Sequence, residues 1–138
     1  MPEAFRQIDR FLFIDTPPLG RSSLVLNSYT GREAISELFS FQLELLSEDQ
    51  KIDFASLLGK KICFGVAGEK AEEKRQIRGV VTAFSQLPSR ERIAHYRATV
   101  SPTIWQLTLK RQSRIFQNLS VPDTLKKVLE GFDVDYDW

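Results

Sequence analysis

His95 and Cys63 are the only histidine and the only cysteine among the 138 residues. The two side chains most often recruited for acid–base or nucleophilic work therefore each stand alone. His95 lies in an alternating run beside Arg97 and Thr99, with no serine, cysteine or aspartate placed to complete a nucleophile system, and reads as a solvated or interface histidine. Cys63 has Lys61 as its only nearby cation and reads as a passive thiol. A single cysteine excludes a disulfide within the chain and a cysteine-based zinc cluster, and a single histidine excludes a His pair for a metal. Glu44, Glu48, Asp49 and Asp53 make a carboxylate-rich stretch. Alternation sends Glu44 outward, however, and Asp53 suits a helix cap, so neither a metal nor a glycosidase pair is expected. Lys110, Arg111 and Arg114 near Trp105 have the cation-plus-aromatic composition that holds single-stranded nucleic acid, although surface or intersubunit pairing is the reading favoured here. Gly65, Gly68 and Gly79 lack the spacing of a phosphate-binding loop. The expectation is no catalytic, cofactor-binding or metal site, and no enzymatic activity.

Bulk properties point the same way. Nineteen Lys and Arg against 18 Asp and Glu leave a net charge of +1, too small to draw in a polyanion, so nucleic acid is not an expected partner. With 42% hydrophobic and 27% charged residues the composition is that of a folded globular domain. Apolar runs such as Phe11 to Ile14 fall far short of the roughly 20 residues of a membrane helix, and no charged-then-apolar signal opens the chain; the protein is expected to begin in the cytoplasm.

The elements that would carry these side chains are mostly strands. Phe5 to Gly20 reads as an irregular arm or edge strand ended by Thr16-Pro17-Pro18-Leu19-Gly20. Ser23 to Tyr29 suits a half-buried strand, with a turn at Thr30-Gly31-Arg32-Glu33. Phe39 to Leu46 has the clearest period of two: Phe39, Phe41, Leu43 and Leu45 share one face, each contributing about 1.5–3 kcal/mol on full burial. Ile52 to Gly59 reads as one or two helical turns, capped by Asp53 and left through Gly59. Lys61 to Val66 alternates again, with Ile62, Phe64 and Val66 inward and Cys63 outward. The charged segment 67–75 reads as a hairpin tip. Gln76 to Phe84 follows as a strand in which Gly79 permits a bulge or a close backbone approach. Arg92 to Ser101 places Ala94, Tyr96, Ala98 and Val100 on one face and completes an antiparallel meander. Ile104 to Leu109 fits a short helix or an apolar strand, since periodicity does not arbitrate so short a run, and the helix is the reading favoured. Ser120 and Asp123 form a capping-box pattern ahead of Leu125, Val128 and Leu129, so a helix is expected up to Gly131. The tail from Phe132 alternates acidic and aromatic residues and reads as part of something longer. Phe11, Phe13, Leu46 and Trp138 fall outside the expected core and are interface candidates.

Three stretches, in order, resemble the N-terminal part of the VgrG family of type VI secretion spike proteins. Leu24 to Ser47 contains Gly31-Arg32-Glu33-Ala34-Ile35-Ser36 and Leu38-Phe39-Ser40-Phe41-Gln42-Leu43-Glu44-Leu45, similar to that family's G-x-E-A-[LI]-S and L-F-x-F-x-L-E-L elements. Ile52-Asp53 to Leu57-Leu58-Gly59, with Gly79-Val80-Val81-Thr82-Ala83-Phe84 downstream, resembles its I-D-x-x-x-L-L-G and G-x-V-x-x-F elements. Tyr96 to Pro102, then Arg114-Ile115-Phe116-Gln117 with Ser120-Val121, resembles its third block, although Thr103 stands where tryptophan often follows the proline. The resemblance covers roughly residues 8 to 131. It implies a mainly β fold, an antiparallel barrel like the phage tail hub with one or two short helices. It assigns residues 1–117 to that barrel and 118–138 to the start of the following hub region. It further implies a homotrimer in the full-length protein that caps the hexameric tube protein Hcp, delivers effector proteins, and is secreted through the contractile apparatus. A phage tail hub is the near alternative; a single-strand-binding barrel is the alternative of a different class, and a hydrolase the least supported.

Overall fold

A computed structural model of the chain describes residues 10–20, 23–68, 74–89, 92–132 and 134. It divides into two compact units, Met1–Pro102 and Thr103–Trp138. The first holds six antiparallel strands: β1 (Leu12–Asp15), β2 (Val25–Arg32), β3 (Ser40–Ser47), β4 (Lys61–Val66), β5 (Arg75–Leu87) and β6 (Ala94–Ser101). Their order in the sheet is β1-β4-β5-β6-β3-β2. The edge strands β1 and β2 lie in contact without pairing as a ladder, so the sheet forms a nearly closed barrel, as the family resemblance implied.

Closure follows from which side chains point inward. Phe41, Leu43 and Leu45 of β3 and Tyr96, Ala98 and Val100 of β6 are buried, and the two rows face each other through Phe41↔Val100, Leu43↔Ala98 and Leu45↔Tyr96. Ile62 and Phe64 of β4 and Ile77, Val81 and Phe84 of β5 complete the core, with Phe39 packed partly buried at its edge. Phe64 lies 5.5 Å from Phe41 and 5.4 Å from Tyr29, ring centre to centre, both edge-on. Because β4 stands at one side of the sheet order and β2 and β3 at the other, these contacts span the barrel interior. At a second cluster Phe84 stacks on Tyr96 at 5.3 Å, and Phe54 meets Phe84 edge-on at 5.2 Å.

Two irregularities bend the sheet. The β2–β3 register slips between Leu26 and Ser28, and the β5–β6 register between Val81 and Ala83, leaving Asn27 and Thr82 as extra residues. Such bulges increase twist and help a sheet curl shut. Gly79 is not itself the bulge. It is a close approach: a Cβ there would sit 2.6 Å from the carbonyl oxygen of Ser101.

Several local expectations change. Thr30-Gly31-Arg32 is not a turn but the end of β2, because Gly31 pairs with Phe41 and leaves room for its ring; the break falls instead between β2 and β3. The arm supplies a true strand, β1, paired with β4 from Leu12↔Val66 to Asp15↔Cys63. Its residues 5–9 lie outside the described residues, as do 69–73 of the hairpin tip and most of the tail, Trp138 included. The helical turn after Ile52 is a 3-10 turn, Phe54–Ser56; the Asp53 carboxylate accepts the Ala55 N–H at 3.1 Å and Gly59 leaves in the left-handed region.

The second unit contains the short helix favoured from the sequence, as a 3-10 helix, Thr103–Leu109, and α1 (Val121–Leu129). Ser120 caps α1 by accepting the Asp123 N–H at 3.3 Å, and its hydroxyl donates to the Asp123 carboxylate, so the acid meets the capping side chain instead of returning to the capping backbone. The last strand of the first unit ends at Ser101.

Replacing Gly79 with alanine is expected to lower the unfolding free energy by about 1–3 kcal/mol, since Ser101 or the β5 backbone must move. Urea denaturation followed by tryptophan-independent far-UV circular dichroism measures it; an unchanged midpoint would mean that β5 and β6 are not pressed together there.

Candidate functional site

The side chains with chemical potential are dispersed over the strands of the barrel and the second unit. On β6, His95, Arg97 and Thr99 are half-buried on the face opposite the core row. His95 stands in register with Leu46 of β3 and Leu87 of β5, so its flanking positions on the sheet are apolar. Arg97 lies opposite Glu44, and its Nε donates to that carboxylate at 2.8 Å. A cross-strand pair of this exposure contributes about 0.2–1 kcal/mol and pins the β3–β6 register.

The acidic stretch is dispersed by the same logic. Glu44 points outward to Arg97, the Asp49 carboxylate accepts the Lys51 N–H at 2.8 Å, Asp53 caps the 3-10 turn, and Glu48 is exposed. Among the described residues no group of three His, Cys, Asp or Glu side chains is placed to hold a metal ion. Cys63 is half-buried on β4, in register with Asp15 on one side and Arg78 on the other.

In the second unit, the Arg114 guanidinium donates to Gln112 Oε1 at 2.9 and 2.5 Å and to the Lys127 carbonyl at 3.3 Å. Lys110 Nζ sits 5.4 Å from the centre of the Phe132 ring, and Trp105 is half-buried. These cations are thus tied into their own unit. They are not laid out as a groove of stacking platforms.

Tyr96 is a buried titratable group that the sequence reading placed only in the core. Its ring is fully buried, its hydroxyl donates to the Asp49 carbonyl at 2.8 Å, and it accepts the Ile52 N–H at 3.5 Å. It therefore latches the link between β3 and the 3-10 turn to the barrel interior. Burial, and secondarily the nearby Asp49 charge, push its phenol above the ordinary value, against the opposing hydrogen bond from Ile52.

Surface apolar side chains form the other distinct feature. Phe11 is 70% exposed, Phe13 is half-buried with Lys74 Nζ 4.2 Å from its ring centre, and Leu46 is half-buried. The sequence reading missed Ile35, 96% exposed in the link between β2 and β3, together with Leu38. Salt bridges of Arg32 with Glu37 and of Arg75 with Glu33 brace this link, and Glu37 N–H donates to the Ala34 carbonyl at 3.4 Å. The signal was present in Gly31 to Leu38, where apolar residues interrupt a turn-like stretch. An arrangement of barrel, braced loops and exposed apolar residues can bind protein surfaces.

Comparison with known proteins agrees with this description. The profile of the family described as phage tail baseplate hub (GPD) matches residues 32–138. The type VI secretion system spike protein VgrG1a of Pseudomonas aeruginosa strain PAO1 is 36% identical over 125 residues, covering 91% of this chain and 19% of that protein. VgrG5 of the same strain is 38% identical over 107 residues, covering 78% of this chain and 13% of its own length. This chain therefore spans about a fifth or less of these relatives. A solved structure of the E. coli c3393 protein superposes with a TM-score of 0.65 at 28% identity, covering 79% of this chain and 32% of that one. That protein is described as a component of the type VI secretion system with structural similarity to the T4 bacteriophage tail proteins gp27 and gp5.

The Tyr96 latch has a pH signature. The unfolded chain releases its phenolic protons near pH 10, whereas the folded chain holds that of Tyr96 to higher pH. The stabilisation is complete below about pH 10 and is lost as pH rises, because the unfolded state then binds fewer protons. Tyr96→Phe is expected to cost about 1–3 kcal/mol at neutral pH and to flatten the alkaline loss of stability. Thermal melts from pH 7 to 11 test this; an equally steep decline in both proteins would contradict the latch.

Proposed function

We propose, from the premise that this chain belongs to the phage tail baseplate hub family and is related within it to the VgrG spike proteins, that it is the base domain of a type VI secretion spike. Its work is mechanical. Three full-length copies assemble, the ring of barrels caps the hexameric tube protein Hcp, and the spike carries effector proteins as the contractile apparatus drives it outward. Assembly takes place in the bacterial cytoplasm, and the assembled spike is then secreted. Residues 1–117 belong to the barrel portion in this reading, and 118 onward begin the hub region that follows.

The observation that carries the proposal is the hub-family match over residues 32–138, which takes in strands β3 to β6 of the nearly closed barrel. A force-bearing base needs stiffness. Aromatic contacts across the interior and short, braced loops supply it.

The family description favours one second reading, the baseplate hub of a contractile phage tail, which shares fold and trimer and differs in what lies downstream. Size-exclusion chromatography with light scattering on the full-length protein is expected to give three times the protomer mass. A stable monomer at micromolar concentration would contradict both readings.

A further inference from the structure

Three identical chains in a closed ring are not held by one patch meeting itself. A turn of one third sets one surface of each copy against a different surface of the next, so the chain must carry two unlike patches that fit together. Two surface features have that relation.

The first is a knob. Ile35, in the link between β2 and β3, is 96% exposed, more than any other large apolar side chain among the described residues. Its position is fixed. Ser36 beside it takes a φ of 64°, a left-handed turn that a side chain disfavours, and the pairs Arg32–Glu37 and Arg75–Glu33 clamp the link on both flanks. Glu33 and Glu37 stand two residues before and two after Ile35, and their side chains remain 49% and 54% exposed. A projecting apolar side chain on a braced link is an anchor that loses little conformational freedom on burial.

The second is a hole. Within residues 103–138 a cleft of about 340 Å³ is walled by Leu107, Phe116, Val128 and Phe132 and carries Lys110 and Arg114. It has room for a four-carbon side chain. Lys110 Nζ lies against the Phe132 ring, and the Arg114 guanidinium is bonded to Gln112 and to the Lys127 carbonyl. Among the described residues neither cation is ion-paired with a carboxylate, and with Glu130 as the one acid on the wall the cleft keeps an excess of positive charge.

We propose that in the trimer the Ile35 link of each copy docks in the cleft of the next, with the isoleucine against the apolar wall and Glu33 and Glu37 toward Lys110 and Arg114. The proposal rests on the spike reading above, which supplies the three copies. Complementarity chooses a second copy as the occupant: an apolar side chain between two acids meets an apolar cleft that carries two cations, and both belong to the same chain. Such a contact is heterologous. It repeats around the ring and leaves no unmatched knob or hole once three copies close it.

Crosslinking of the full-length protein tests the docking. Ala34→Cys lies on the link, and Arg111→Cys lies beside the cleft residues Lys110 and Gln112. In a background without other cysteines, Cys63→Ser included, a short bismaleimide is expected to join this pair into species of two and three protomer masses on a denaturing gel, and to join neither single substitution. No species above one protomer mass would overturn the docking. A crosslinked dimer from Ala34→Cys alone would also overturn it, because the links would then meet each other. Independently, Ile35→Asp is expected to raise the concentration at which the trimer dissociates about 10-fold or more, and Ile35→Leu to leave it within about twofold, as read by light scattering on dilution. Circular dichroism of the Ile35→Asp protein should match that of the unsubstituted one, since the side chain is open to solvent. Failure of the spike reading looks different: an unsubstituted full-length protein that is monomeric overturns both, whereas a trimer indifferent to Ile35→Asp overturns the docking alone.

Discussion

Phe64 has to be touched from two sides at once. It belongs to β4, and its ring packs edge-on against Tyr29 of β2 and Phe41 of β3, strands at the far side of the sheet order. A flat sheet cannot bring them together. Burial of these rings therefore requires the sheet to curl until β1 meets β2, and most other features of the first unit serve that requirement. The bulges at Asn27 and Thr82 supply extra twist, Gly31 leaves space beneath Phe41, and Gly79 lets β5 press against β6.

Once the interior is filled, function has to be found on the outside and at the loop ends. The Glu44–Arg97 pair, the Tyr96 latch to Asp49 and Ile52, and the ion pairs around Ile35 each fix geometry at modest cost. None brings two proton-transferring groups within reach of a common point. The outcome is a stiff body that offers surfaces, which is what the family of baseplate hubs and the proposed spike role call for.

Much of this was legible in the residue order. Alternation in Phe39 to Leu46 and in Ala94 to Val100 gave both inward rows, because one buried face leaves no tolerance for a slip, whereas the pairing that sets them opposite each other came only from the structure. What escaped was whatever depends on partners distant in sequence. Thr30-Gly31-Arg32 has the composition of a turn, and only Phe41 opposite Gly31 makes it a strand. Leu24, Val25 and Leu26 are buried in succession, and so are Val80 and Val81, which breaks the period of two near each bulge. The exposure of Ile35 had only the turn-like composition of Gly31 to Leu38 to signal it. Of the candidate interface residues, Phe11 is open to solvent, Phe13 and Leu46 are half-covered, and Trp138 lies outside the described residues.

The account rests on β3 facing inward along Phe41, Leu43 and Leu45. Paired denaturation of Leu43→Ala and Gln42→Ala, neighbours on opposite faces of one strand, addresses this directly. Losing the fully buried Leu43 side chain should lower the unfolding free energy by about 2–5 kcal/mol, and removing exposed Gln42 should change it by less than about 0.5 kcal/mol. Equal effects, or the reverse order, would contradict an inward-facing β3 and the barrel built on it.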